Sequence, residues 1–561
     1  MDTQKLDDKI KRLSEHAQEW ADLDIREKIA MGERLIERTL DVGKRQVRAA
    51  IEAKKIPAGS PAVGEEWLGG PLITMRTVRL TMNSLREIAE KGTPQLKPDA
   101  IRQLEDGRVV VDVFPTDRWD ALLYQGFEAE IWMQEDVTPK NLKDTMGVFY
   151  KEEAPEGLVA LVLGAGNVAS IGPLDVVYKL FAEGQVCVLK MNPVNDYLGE
   201  FIEESFREFI ERGFLELAYG GADVGAYLCQ HEGIDEIHIT GSDKTHDAIV
   251  YGVGDEGAER KANDERVNTK RITSELGNVS PVIVVPGEWS ASDLTFHAEN
   301  IATQLANNGA FNCNATRVVI THAQWPQREA FLDALRDAYR RVPQRVPYYP
   351  GARDRYARWV GEASEPVEEY GVTNDNLLPW ALVPNLSPDD KENILFREES
   401  FCSVQAETAL EADGVGDFLR RAVEFANDTC WGTLNCSIFI DPKTATSHSK
   451  QLEQAIADLT FGSIVINHWA ALAYGLGVTT WGAHPGHTYQ DIQSGIGVVH
   501  NALLFDRPLK TVIRGPFKMF PKPPWFATNK NTHEIAPRLC EFELNPNVKN
   551  LGRILWYAVR G

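Results

Sequence analysis

The stretch Leu158-Val159-Ala160-Leu161-Val162-Leu163-Gly164-Ala165-Gly166-Asn167-Val168-Ala169 decides the fold. Six apolar residues without polar alternation make a strand buried on both faces, and small residues then turn the chain. Beyond it strand and helix alternate. Residues 174–183 read as a helix stopped by Gly184, 186–189 as a strand and 201–212 as a helix. Residues 215–218 and 236–239 read as further strands. That alternation builds βαβ units on a parallel sheet. A second alternation covers about residues 278–478, so the chain is α/β with two parallel-sheet units.

Working outward, residues 1–128 look largely helical, with Ile25, Ile29, Ile36 and Leu40 on one apolar stripe. Glu130-Ile131-Trp132-Met133 and Met146-Gly147-Val148-Phe149-Tyr150 read as two strands of a projecting hairpin. Pro516, Pro521, Pro523 and Pro524 punctuate an extended segment that leads to a tail ending at Gly561.

A length of 561 residues suffices for two or three domains without covalent staples. The formal charge of −23 argues against nucleic acid or an anionic membrane as partner, since both require basic surface. Seven cysteines, an odd number with no CxxC pair, fit a reducing cytoplasm. The polar start has no signal-peptide core, and no run of about eighteen apolar residues predicts a membrane span.

Several positions carry chemistry. Gly164-Ala165-Gly166-Asn167-Val168-Ala169 satisfies the GxGxxG/A pattern of a dinucleotide turn, but the next strand ends in Lys190-Met191-Asn192-Pro193 and lacks the usual ribose-binding acid. A buried turn that needs small residues explains the same glycines. Lys190 falls at the carboxyl edge of the sheet, where ligands bind; a lysine snorkelling to solvent fits equally. Ile239-Thr240-Gly241-Ser242-Asp243 places a glycine and a hydroxyl at a helix start, where amides meet phosphate. Cys313 follows a helix with Leu294, Ala298, Ile301, Ala302 and Leu305 on one face, capped by Ser290 or Ser292 and ended by Gly309. An isolated intracellular cysteine is ordinarily a small buried hydrophobe. Glu275, just ahead of the strand-like run Val282-Ile283-Val284-Val285, is ordinarily a solvated carboxylate. Together, thiol and carboxylate are the nucleophile and base of covalent catalysis on a carbonyl. His468, His484 and His487 lack suitably spaced partners, and no metal site is expected.

In order, these segments resemble the aldehyde dehydrogenase superfamily over about residues 130–515. Leu163-Gly164-Ala165-Gly166-Asn167 resembles the segment with the family's oxyanion asparagine, and Val188-Leu189-Lys190 its strand-end lysine. Ile239-Thr240-Gly241-Ser242 resembles its pyrophosphate turn, Glu275-Leu276-Gly277 its general base, and Cys313-Asn314-Ala315 its nucleophile motif. Arg397-Glu398-Glu399-Ser400-Phe401 resembles its Glu-x-Phe cofactor motif, the run from Ala426 to Leu434 the segment after it, and Lys510-Thr511-Val512 its terminal strand. There are departures. His246 stands near the usual second glycine, Pro193 replaces a ribose-binding carboxylate, Ala310-Phe311-Asn312 precedes the thiol, and Cys402-Ser403 follows Phe401. The tail beyond residue 518 has no counterpart.

The resemblance implies a Rossmann-like cofactor domain (residues 1–128 and 153–277) and a catalytic domain (278–478). It also implies an oligomerisation arm (129–152 and 498–518), with 519–561 as a C-terminal extension. It implies Cys313 as nucleophile, Asn167 as oxyanion donor and Glu275 as base. Lys190 and Glu399 would hold the riboses of NAD or NADP, Gly241 and Ser242 its pyrophosphate and Phe401 its nicotinamide side, with Gly277 also binding the cofactor. A cytoplasmic homodimer or homotetramer acting on a small-molecule aldehyde is expected. Two alternatives stand beside it. One is an acyl-CoA reductase or CoA-acylating enzyme, since the Gly-Asn-Val run also resembles the bacterial fatty acyl reductases that serve luciferase. The other is a non-catalytic nucleotide-binding homologue.

Overall fold

The computed structural model describes residues 2–561 and confirms an α/β architecture built on two parallel sheets. The smaller has five strands in the order Leu215–Ala218, Val186–Lys190, Val159–Leu163, Glu236–Thr240, Arg271–Glu275, all parallel. Chain order reverses on either side of Val159–Leu163. The turns at Gly164 and Gly241 therefore flank a switch point, the place where such sheets bind ligands.

The N-terminal helices cover this sheet. Trp20, on the helix Thr3–Asp22, is fully buried against Phe181, Phe209 and Phe214, and its indole N–H donates to the Leu180 carbonyl at 3.0 Å. On the helix Ile25–Ala53 the apolar stripe is as expected: Ile29 and Ile36 are buried, while Ile25 and Leu40 pack at the core's margin.

The larger sheet has eleven strands. Its centre is seven parallel strands in the order Pro508–Arg514, Ser463–Ile466, Asn435–Phe439, Ser280–Val284, Thr316–His322, Val404–Leu410, Trp380–Val383. Only residues 276–279 link the last strand of the small sheet to Ser280–Val284. The carboxyl edge of one sheet thus faces the amino edge of the other.

The expected hairpin differs. Glu128–Met133 is a strand, but it pairs antiparallel with Val109–Phe114 on one side and Pro508–Arg514 on the other. Residues 142–151 form two short 3-10 turns and a single bridge from Met146 to Phe505 instead of a second strand. The terminal strand is therefore paired on both edges within its own chain. An unpaired strand edge is a liability, and in-chain pairing removes it. Residues 101–114, expected to be helical, supply the outer strands because Val109, Val110 and Val111 are β-branched and fully buried.

The C-terminal extension is structured. An extended run leads to the helices Thr532–Leu544 and Val548–Ala558, and Thr532 lies so close to Gly64 that a Cβ there would meet its backbone at 2.5 Å. Glu543 reaches Arg76 at 3.0 Å, and Arg76 also pairs with Asp120 at 2.8 Å, all three buried. No helix among the described residues is long and apolar enough to cross a bilayer.

Replacing Arg76 by Met should leave the buried Asp120 without its counter-charge and Glu543 with Arg79 alone. The loss is roughly 3–5 kcal/mol, the scale for breaking a buried pair from one side. It should show as a lower urea midpoint; a change under about 1 kcal/mol would mean the extension is not anchored through this residue.

Candidate active site

The helix Ala291–Ala306 is capped by Ser290, which accepts from Asp293 N–H while the Asp293 carboxylate accepts from Ser290 N–H. It ends in a tight turn in which Asn308 and Gly309 both take positive φ (52° and 68°). The turn throws Cys313 into the gap between the sheets, where Ser280 Oγ donates to its carbonyl at 3.2 Å.

Glu275 ends the adjacent strand and is enclosed beside the Cys313 thiol and the Trp481 indole. Its backbone is fixed on both sides: Gly241 N–H donates to its carbonyl at 3.0 Å, and Leu276 N–H donates to Ser494 O at 2.9 Å. Burial raises its carboxyl pKa to about 8, and its Oε1 makes no hydrogen bond. Burial also pushes the Cys313 thiol well above its ordinary range, and the charges of Glu275 and Glu399 add to this. At neutral pH the resting pair is therefore a thiol beside a largely protonated carboxyl, and the ionised fraction of Glu275 is the form that can accept the thiol proton.

Asn167 is buried on the turn opposite. Its Nδ2 donates to the Phe311 carbonyl at 2.9 Å, clasping the cysteine loop. Its backbone carbonyl collects Lys54 Nζ (3.1 Å), Asn308 Nδ2 (2.9 Å) and Tyr348 OH (3.2 Å). The Cys313 amide donates to no backbone carbonyl and lies against its own sulfur.

Two cavities meet at Cys313, Glu275 and Asn167. One, of about 450 Å³, is polar and runs to Gly241, Ser242, Lys244, Gly277, Glu399 and Phe401. Ser242 caps the helix Asp243–Tyr251, which opens onto this space. Glu399 is half-buried, its pKa raised to about 7 by desolvation, which the Arg317 charge partly offsets. A Cβ on Gly277 would sit 2.4 Å from its Oε2, so any larger residue there would displace the Glu399 carboxylate. Phe401 holds φ of 43°, strained for an aromatic residue, with its ring against Phe311 and Tyr349. The second cavity is mainly apolar and faces the N-terminal helices.

Lys190 does end its strand, but its ammonium lies toward Asp223 and Cys229 instead of the cavity wall; Asn192 takes that position. His468, His484 and His487 hydrogen-bond to Pro516 O, Pro485 O and Thr433 Oγ1. Sequence reasoning missed Lys54, Glu66, Tyr348, Arg355 and Trp481, which reach the site from distant segments with no motif around them. Arg355 lines the polar cavity with a buried Nη2 that has no partner. The only legible signal was the Asn308-Gly309 dipeptide, a turn pair suited to positive φ.

A model of the aldehyde dehydrogenase family matches residues 125–353. The aldehyde dehydrogenase LUC3 of a Fusarium species is 28% identical over 181 residues, covering 32% of this chain and 34% of that protein. The N-succinylglutamate 5-semialdehyde dehydrogenase of Novosphingobium aromaticivorans is 22% identical over 299 residues, covering 53% of this chain and 57% of its own length. The chain thus spans about a third and somewhat over half of these curated relatives. The NADP complex of NADP-dependent glyceraldehyde-3-phosphate dehydrogenase from Bacillus halodurans superposes with a TM-score of 0.59 at 15% identity, covering 91% of each chain.

The raised pKa of Glu275 has a stability consequence. The folded state holds a proton that the unfolded chain releases at the ordinary carboxyl pKa. This contribution is therefore complete at acid pH and disappears as pH climbs through about 8. Glu275→Gln should flatten the fall in melting temperature between about pH 5 and about pH 9. Parallel curves for the variant and the parent would show that the carboxyl titrates normally.

Proposed function

We propose that this chain, whose residues 125–353 match the aldehyde dehydrogenase family, is a member of that superfamily and oxidises an aldehyde to a carboxylic acid with NAD or NADP. The observation that carries the reading is the convergence of Cys313, Glu275 and Asn167 where a polar and an apolar cavity join. The residues of the polar cavity fit a dinucleotide. The helix start at Ser242 with Lys244 suits the pyrophosphate, the half-buried Glu399 suits ribose hydroxyls, and the orphaned Arg355 Nη2 adds a free cationic donor. When bound there, the dinucleotide supplies the oxidation by accepting hydride from the carbonyl carbon. The five-stranded unit is then the cofactor domain and the segment 278–478 the catalytic one. Seven unpaired cysteines support a cytoplasmic setting.

The chain's own groups do the rest. Ionised Glu275, its proton affinity raised by burial, takes the Cys313 proton, the thiolate attacks the aldehyde carbon, and Glu275 releases that proton to solvent before it acts again. Asn167 Nδ2 and the Cys313 amide are the two donors placed for the oxyanion, Asn167 exchanging its bond to the Phe311 carbonyl for one to substrate. Once the thioester has formed on Cys313, Glu275 removes a proton from attacking water. The acid leaves and the thiol is restored.

Cys313→Ala should abolish oxidation while nucleotide binding by titration calorimetry stays near normal. Asn167→Ala should lower kcat by roughly 10²–10³, the scale of one oxyanion donor. Turnover by the first, or a loss below about tenfold in the second with its circular dichroism unchanged, would remove that residue from the mechanism.

Glu275→Gln separates hydrolysis from transfer to a thiol. Rapid mixing should release one burst of reduced cofactor and then collapse, because an amide cannot take a proton from water. Added CoA should not restore turnover. Wild-type activity that depends on CoA would falsify the hydrolytic reading in favour of an acylating enzyme.

A further inference from the structure

The apolar cavity next to Cys313 holds about 160 Å³, close to the ~150 Å³ of a dry cavity known to hold one benzene ring. Leu68, Leu72, Val168, Leu472 and Trp469 form much of its wall, and Trp525 of the C-terminal extension completes it. Leu68 and Leu72 lie on a single π-turn between the helices Val63–Trp67 and Ile73–Lys91, an irregularity common at functional sites.

Two cations face this space, and neither is free. Lys54 Nζ is bound by both Glu66 oxygens (2.9 Å each), the Asn167 carbonyl (3.1 Å) and Asn308 Oδ1 (3.0 Å). Arg76 gives Nε to Leu476 O (3.0 Å), Nη1 to Glu543 (3.0 Å) and Nη2 to Asp120 (2.8 Å). Glu65, also on the wall, is taken by Arg345 at 2.7 Å. A substrate carboxylate or phosphate entering here would lose its water and find no unpaired cation. The names of two relatives, N-succinylglutamate semialdehyde and glyceraldehyde-3-phosphate dehydrogenases, point instead to anionic substrates for those proteins. The extension contributes twice: Trp525 closes the wall, and Glu543 occupies a guanidinium that an anion would otherwise bind.

We propose that the substrate is an uncharged apolar aldehyde, an aromatic ring or an alkyl chain of similar bulk, and that Trp525 is a specificity-determining residue. This rests on the reading of Cys313 as the nucleophile facing that cavity.

The test has a binding arm and a turnover arm. In ligand-observed NMR on Cys313→Ala, benzyl alcohol should bind and succinate should neither bind nor displace it. Adding Trp525→Ala should weaken benzyl alcohol about tenfold, and Trp525→Leu, a milder change, should keep the fold if the alanine variant does not. In turnover, kcat/KM for benzaldehyde should exceed that for succinic semialdehyde by at least about tenfold. Succinate binding as well as benzyl alcohol, or indifference of ring binding to both Trp525 variants in folded protein, overturns the proposal. Ring binding that depends on Trp525, with no aldehyde oxidised, upholds the apolar cavity and overturns the oxidative reading instead.

Discussion

One ammonium holds the site together. Lys54 Nζ, at the end of the long helix Ile25–Ala53, binds Glu66 from the N-terminal region, the Asn167 carbonyl from the small sheet and Asn308 from the cysteine loop. Each of these segments belongs to a different part of the chain, and the ion is buried with them. A buried charge is tolerable only when every proton on it is bonded, so the position of any one partner constrains the others. Asn167 and the Cys313 loop are therefore set by the same atom. Asn308 repeats the link from the other side by donating to both Asn167 O and Phe311 O.

Around that clamp, burial does the electrostatic work. Cys313 and Glu275 are both shifted toward their neutral forms, and the largest cause in each case is desolvation. Neither shift is useful alone, since a high-pKa thiol is a poor nucleophile. As a pair they suit one another: a carboxyl with pKa near 8 is a far better proton acceptor than one near 4. Glu399 and Phe401, on the opposite wall, shape the polar cavity through a half-buried carboxylate and a strained backbone.

Much of the fold was legible because its signals are local. The unbroken apolar run at Leu158, the glycine turns and the helix cap at Ser290 each read directly, and the structure places strands and helix there. The hairpin did not read correctly. Residues 146–150 have strand-like composition, but Gly147 takes positive φ and the segment curls into a 3-10 turn. The strands at 101–114 were hidden because Ile101–Gln103 is very short and Val109–Phe114 finds its main partner, Glu128–Met133, beyond a helix. In the site, Cys313, Glu275 and Asn167 lay in recognisable segments. Lys54, Trp481 and Trp525 did not, because a lysine at a helix end or an isolated tryptophan looks the same whether it lines a site or a surface. Lys190 shows the converse: a motif position whose side chain faces Asp223 in this chain.

The central claim is that Cys313 carries the acyl group and Glu275 releases it. Intact-mass spectrometry of Glu275→Gln, acid-quenched after mixing with benzaldehyde and oxidised cofactor, tests this directly. The account predicts a stable mass increase equal to one benzoyl group, mapped by peptide digestion to the peptide containing Cys313. An unmodified protein that has nevertheless reduced cofactor, or an adduct on any other cysteine, would contradict it.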